Sequence, residues 1–422
     1  MRVQSLKNAT LLAVAGLLVV GFIAIAAANP VVGMGMLAAT VYIAWAIKHP
    51  TSAGAAWIFA VAVVPQWWSF SIPGIGSVGF TTAVGVALAL ALLVGGAGRG
   101  AADRYVAIFA VLVLAAVGLA LLATDLQSFI VRDFLLVWIV PAFVGVRLAP
   151  TFRTTLPVVG AIIGVWSVLE LATGLHVFET FGQVSTWQTI QYRGAFARSE
   201  AAFGTPIALG AFLALALPFV TYLRRGRALA TILIVAGVLA TISRSPLIAV
   251  LVVGVLLVYR LATIRVVVAA ALAAVVLGVL AGPLFGSDDA GADTAGSNFY
   301  RENAINAVIG TLRPIGLADG AYVDPRSGSL LFTGFNSIDS AVLLTGLVIG
   351  WLPLILAALA IIPVVVTALR RKASPEEIAF LAQLTMVASL AFITGWQIMF
   401  FALVGVVMSQ RADRRARVTS TA

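Results

Sequence analysis

The sequence predicts an all-α, polytopic integral membrane protein with about 12–14 transmembrane helices and two long extracytoplasmic loops. Three observations predict it. Of 422 residues, 62% are hydrophobic and 10% charged, and the mean hydropathy is +1.10, which leaves too little polar surface to cover a water-soluble core. Apolar runs near the ~20 residues needed to cross a bilayer recur along the whole chain. The basic residues, finally, divide unevenly between alternate loops.

Hydropathy and polar breaks place spans near 9–28, 31–47, 53–70, 79–97, 105–123, 129–148, 154–173, 202–223, 228–243, 246–261, 264–285, 338–369, 376–393 and 395–410. The last two are short and Pro65 interrupts 53–70, so the count falls to twelve or thirteen if these merge. Met1 to Lys7 is basic and Ala26-Ala27-Ala28 has the form of a cleavage site, but the next span begins at Val31, which predicts an uncleaved first span. The chain divides into N-terminal helices (1–173), a first outer loop with central helices bearing Arg198 and Arg244 (174–285), a second outer loop (286–337), and C-terminal helices with a basic tail (338–422).

Lys and Arg are retained on the cytoplasmic face. One set of loops holds 19 of the 26 basic residues and the other 7, which places both termini inside. The net charge of +10 is thereby explained by topology, and no nucleic acid is expected as a partner. Cysteine is absent, which excludes disulfides and thiolate chemistry, and His49 and His176 are too few to build a metal centre. No metal or cofactor is expected.

The outer side carries the long, non-hydrophobic connections where function tends to accumulate. All three lysines (Lys7, Lys48 and Lys372) fall inside, and the outer basic residues are Arg132, Arg193, Arg198, Arg244, Arg301, Arg313 and Arg326. Arg198 lies just ahead of the span at 202, and Arg244 sits in the tight turn Ile242-Ser243-Arg244-Ser245-Pro246. An ionised group near membrane depth is costly, and is either paired or functional. One reading is that these arginines snorkel or pair with Asp133, Glu200 and Glu302. The other is a cationic pocket for a lipid-linked diphosphate, since the planar guanidinium fork matches phosphate oxygens and stays charged.

The stretch Arg198-Ser-Glu-Ala-Ala-Phe203-Gly204-Thr205-Pro206-Ile-Ala-Leu-Gly210 resembles the start of the core of the O-antigen ligase and polymerase family. The Ser243-Arg244 turn, Arg301-Glu-Asn-Ala-Ile-Asn-Ala, Leu312-Arg313-Pro314-Ile315-Gly316 and Asn336-Ser-Ile-Asp339-Ser are similar to later family segments, and the resemblance covers about residues 190–410. It implies a GT-C-like membrane glycosyltransferase of the bacterial cytoplasmic membrane, acting on the extracytoplasmic side without a metal. The implied partners are an undecaprenyl-diphosphate-linked glycan donor, a glycan or glycolipid acceptor, and membrane lipid. Arg198 and Arg244 would hold the diphosphate, with Arg301 a further candidate. Ligases of the family commonly carry a histidine just before the position of Asn336. Phe335 stands there, so the histidine-assisted mechanism does not transfer and polymerase is favoured over ligase.

Displacing a diphosphate from an anomeric carbon requires positive charge on the leaving group and a base for the acceptor hydroxyl. Glu200 and Asp339 are the catalytic candidates, weighed against pairing of Glu200 with Arg198 and helix capping by Asp339. Arg193, Tyr192, Tyr300 and Asn336 are candidate substrate contacts. Trp67 and Trp68 are assigned to an interfacial aromatic belt, and His176 is read as a solvated loop histidine. A transporter or lipid-linked glycan flippase is the competing class, but repeated halves are not evident and Glu170 is the main charge away from span ends. A cell-wall polymerase of the shape-and-division class shares the architecture without the motifs. Gly74-Ile-Gly76-Ser-Val-Gly79 fits a dinucleotide fingerprint only as a string, and Ser374-Pro375-Glu376-Glu377 reads as a helix start.

Overall fold

Helix starts follow from local chemistry. Proline opens a helix readily because the first turn has no use for its missing N–H, and Pro50, Pro206 and Pro375 all stand at first helical positions. Thr205 and Ser340 cap the helices that follow by accepting the Ala208 and Leu343 N–H groups, and Ser374 closes a reciprocal capping box with Glu377. The computed structural model describes residues 30–65, 67–72, 76–98, 100, 102–123, 128–180, 190–193, 196–261, 302–323, 330–332, 335, 338–392 and 394–420.

In chain order these form α1 (Pro30–Lys48), α2 (Pro50–Val63), β1 (Ser69–Ile72), β2 (Gly76–Gly79), α3 (Phe80–Gly95), α4 (Asp103–Ala123) and α5 (Ser128–Asp133). A π-helical turn (Phe134–Ile139) leads into α6 (Val140–Arg147), then α7 (Ala149–Thr173), α8 (Val177–Thr180), β3 (Tyr192–Arg193) and β4 (Phe196–Ala197). Next come α9 (Pro206–Ala216), α10 (Arg227–Ala240), α11 (Arg244–Leu261), α12 (302–309), β5 (Ala321–Val323) and β6 (Leu330–Phe332). The chain finishes with α13 (Ala341–Ile349), α14 (Trp351–Leu369), α15 (Pro375–Ser389) and α16 (Thr394–Ser420). Among the described residues helix dominates, and the three antiparallel hairpins are trim on a helical body.

Among the described residues three helices are long and apolar enough to cross a membrane: α4, α7 and α14. Five shorter apolar segments, 37–48, 50–63, 80–95, 206–222 and 227–240, also coincide with predicted spans. The predicted spans 9–28 and 264–285 lie outside the described residues. Three predicted spans are revised. That at 53–70 is helical only to Val63, and Ser69 and Phe70 belong to β1. That at 202–223 is α9 followed by a 3₁₀ turn, Leu217–Tyr222. That at 338–369 is broken at Gly350, whose φ of 90° suits glycine, and where a Cβ would lie 2.5 Å from the Pro314 carbonyl oxygen. The 313–318 segment of the second loop fills this break. Trp351 and Leu352 donate to the Arg313 and Pro314 carbonyls, and Gly316 and Ala318 donate to Ile349 and Leu347.

Helix packing relies on small residues, which let backbones approach where apolar surroundings give helices little reason to associate. A Cβ on Gly145 would meet Ala402 O at 2.0 Å and one on Gly405 would meet Ala142 O at 1.9 Å, so α6 and α16 lie backbone to backbone. The same device joins α7 to α10, where a Cβ on Gly237 would lie 2.6 Å from the Gly164 Cα. Outward faces stay apolar: Val111 and Leu122 on α4, and Leu359 and Leu369 on α14, are all more than half exposed.

Charges at the start of α7 are paired. Arg153 meets Glu376 at 2.6 Å, Arg411 and Arg414 hold Glu377 at 2.8 and 3.0 Å, and Arg147 meets Asp103 at 3.0 Å. Arg415 donates to the Tyr105 hydroxyl. Residues that the sequence assigns to one side therefore collect at one end of the bundle. The other end of α7 is different.

Candidate functional site

The parallel helices α7 and α10 finish side by side, registered by the Gly164–Gly237 contact and by a Ser167 hydroxyl that donates to Gly237 O at 3.0 Å. A helix C-terminus carries unsatisfied carbonyls and partial negative charge, so it attracts cations. At the end of α10, Ile242 takes the left-handed position that usually falls to glycine, with φ 45°. Ile242 and its two neighbours receive two arginines. Arg198 donates from Nε to Thr241 O at 3.1 Å, from Nη2 to Ser243 Oγ at 2.5 Å and from Nη1 to Gln191 Oε1 at 3.0 Å. Arg193 donates from Nη1 to Ile242 O at 3.1 Å.

The β3–β4 ribbon delivers this pair. Arg193 lies opposite Phe196, and the Arg198 N–H donates to Gln191 O just beyond the last paired residues. Among the described residues Arg198 forms no ion pair. Burial, reinforced by the positive charge of Arg193, lowers its pKa to about 10, so it remains a cation at neutral pH. A guanidinium has five N–H donors, and the three bonds above leave one on each Nη for a ligand.

Two acids complete the site. Glu170, in the last turn of α7 and 3% exposed, accepts from Ser199 Oγ at 2.7 Å, Glu200 N at 3.2 Å and Ala201 N at 2.8 Å, all through Oε2. Its Oε1 lies 2.8 Å from His176 Nδ1. Glu200 is 6% exposed and accepts the Gln191 N–H at 3.1 Å. Burial raises its pKa to about 7, with the Glu170 charge acting in the same direction and the Gln191 N–H, His176 and Arg198 opposing.

Of the residues singled out in the sequence, Arg193, Arg198 and Glu200 come together, and Arg244 follows directly, opening α11 from a half-buried position. Tyr192 is on β3 and 62% exposed. Asp339 is exposed, belongs to the approach to α13 and is not among the partners of Glu170, Arg198 or Glu200. Ser340, not Asp339, caps α13. Arg301, Tyr300 and Asn336 lie outside the described residues, as does Arg326. Arg132 and Arg313 follow the pairing alternative, each beside a nearby acid: Asp133 at 2.7 Å, and Asp319.

Two expectations change. Glu200 and Arg198 do not form an ion pair, because the arginine faces the 241–243 turn. His176 is buried against Glu170 rather than solvated. Trp67 and Trp68, the belt candidates, also pack edge-on against Phe178, which touches Trp166 of α7. The sequence reading missed Gln191, Thr241 and Ser243 as partners. Glu170 did leave a signal, as a lone acid inside an apolar run.

No family model, curated protein or solved structure matches the chain.

Proposed function

We propose that the chain is a multi-pass membrane glycosyltransferase, similar to O-antigen polymerases and ligases and GT-C-like in architecture. It polymerises or ligates oligosaccharides carried on a polyprenyl diphosphate such as undecaprenyl diphosphate. The membrane setting is supported by the three long apolar helices and their exposed apolar faces, which water accommodates poorly. The paired, arginine-rich end of the bundle and both termini lie in the cytoplasm, and the Arg198 end faces outward.

One observation carries the functional reading: Arg193 and Arg198, delivered by one ribbon, grip consecutive residues of the turn that leads into Arg244, beside a buried carboxyl with a near-neutral pKa. Arg198 and Arg244, with Arg301, hold the donor diphosphate, and Arg193 supports them. Glu200 takes the proton of the acceptor hydroxyl as its oxygen bonds to the anomeric carbon. The bond from that carbon to the diphosphate breaks, and the lipid diphosphate leaves with its charge on the guanidiniums. Glu200 fits the base role better than Asp339 because it shares a site with the arginines. Tyr192, Tyr300 and Asn336 are left for sugar contacts.

The test is glycan transfer by purified protein given a polyprenyl-diphosphate oligosaccharide in detergent, without added metal. Extended or transferred glycan, abolished by Arg198→Ala, is the expected result. Absence of transfer together with solute counterflow in proteoliposomes would overturn it in favour of a transporter.

A further inference from the structure

Glu170 takes no part in the chemistry above, yet four donors converge on it. Its location is adverse on its own account, because a carboxylate in the last turn of a helix faces that helix's negative end. What offsets this is the 199–201 segment, which presents a hydroxyl and two backbone N–H groups to a single oxygen. In return Glu170 fixes that segment: Ala201 sits at φ 44°, a left-handed conformation that a residue with a Cβ adopts only under constraint. Glu200 lies between Ser199 and Ala201, so its backbone is set by the grip on either side. His176, held at Oε1, fixes the carboxylate from the opposite edge.

We infer that Glu170, oriented by His176, is a positioning residue that aims Glu200 at the acceptor hydroxyl by clamping the backbone of residues 199–201. The inference rests on the glycosyl-transfer reading. The geometry makes it separable from donor binding. Arg198 has two anchors on the turn after α10, Thr241 and Ser243, which touch neither Glu170 nor residues 199–201. Removing Glu170 therefore frees Glu200 while leaving the guanidinium in place.

The amide variant sharpens the test. In Glu170→Gln, the amide oxygen still accepts from Ser199, Glu200 and Ala201, whose groups at this point are all donors. The amide nitrogen must then face His176 and donate to Nδ1, which moves the imidazole proton to Nε2. The clamp survives and only the charge and tautomer change. Glu170→Ala loses the clamp altogether.

Full-length protein in detergent is assayed for transfer turnover, for affinity toward undecaprenyl diphosphate, and for amide exchange at 199–201. Glu170→Ala is expected to slow turnover about 100-fold, the scale of a misplaced catalytic group. Lipid diphosphate affinity should stay within about threefold, since the Arg198 anchors remain. Exchange at 199–201 should accelerate, and Glu170→Gln should recover most of the turnover and the protection. Equal losses of turnover and affinity in Glu170→Ala, or no loss of turnover, overturn the inference. If the wild type transfers nothing, the functional reading fails by itself. Exchange then decides the clamp: faster in Glu170→Ala and normal in Glu170→Gln sustains it, and unchanged in both sinks it.

Discussion

Glu200→Gln removes the titrating carboxyl while keeping an oxygen to accept the Gln191 N–H. A base with a pKa of about 7 is ionised to about 9% at pH 6 and about 91% at pH 8. Transfer by the wild type should therefore rise about tenfold across that interval, with its midpoint near 7. The variant should be slower by a factor of about 10²–10⁴ and lack this limb. The same group leaves a mark on stability. Its folded pKa, about 7, is above its ordinary value of 4.5, so folding favours the protonated form. That stabilisation is fully present below pH 4.5 and is lost as pH rises through 7, a loss of about 3 kcal/mol for the gap between the two values. Thermal denaturation midpoints of both proteins, taken in one detergent at pH 5 and pH 8, isolate it: the wild type should lose more than the variant on going to pH 8. A wild-type transfer rate flat between pH 6 and 8, or a variant that keeps the wild-type limb, would refute Glu200 as the base.

Arg198→Lys keeps a charge but cannot span Thr241, Ser243 and Gln191 together, and should weaken lipid diphosphate binding by roughly 10–100-fold. Arg313→Ala, at an arginine already paired with Asp319, should leave that affinity within about twofold, and calorimetry distinguishes the two. Gly237→Ala forces a methyl toward the Gly164 Cα, and should destabilise by about 1–3 kcal/mol, read as a lower denaturation midpoint. Because the chain has no cysteine, single introduced cysteines report sidedness directly. Tyr192→Cys should react with an impermeant maleimide on intact cells, and Arg224→Cys only after permeabilisation; the opposite pattern would place the arginine site on the cytoplasmic face.

Sequence periodicity located most helices because apolar runs bounded by proline, glycine and caps leave little freedom. Pro206 after Thr205, and Pro375 after Ser374, start helices where their local chemistry requires. The break at Gly350 was hidden because its cause is remote: residues 313–318 are inserted there by hydrogen bonds that leave no trace in the apolar run from 341 to 369. At the site, the arginines were legible as expensive charges near span ends, but their targets were not. Arg198 ends on the Thr241 carbonyl, the Gln191 side-chain amide and the Ser243 hydroxyl, uncharged partners that carry no signal in the sequence. Glu170 was visible as an oddity, and only the end-to-end packing of α7 and α10 turns it into a partner for residues about thirty positions later.

Backbone strain argues that this end of the bundle is preorganised and not simply a place where charges found partners. Ala201 and Ile242 both have left-handed φ values, each a cost of about 1–3 kcal/mol, and Ile242 bears a β-branched side chain where glycine would be easier. Each is held by a charged side chain from another segment: Ala201 N–H by Glu170, and Ile242 O by Arg193. The two strained residues bracket the acid on one side and the arginines' turn on the other. Relaxing either would turn Glu200 or the Arg198 acceptors out of their present arrangement, so the same charges that would meet substrate also maintain the geometry in which they meet it. Arg132 and Arg313, by contrast, meet nearby acids with no left-handed non-glycine residue at the contact.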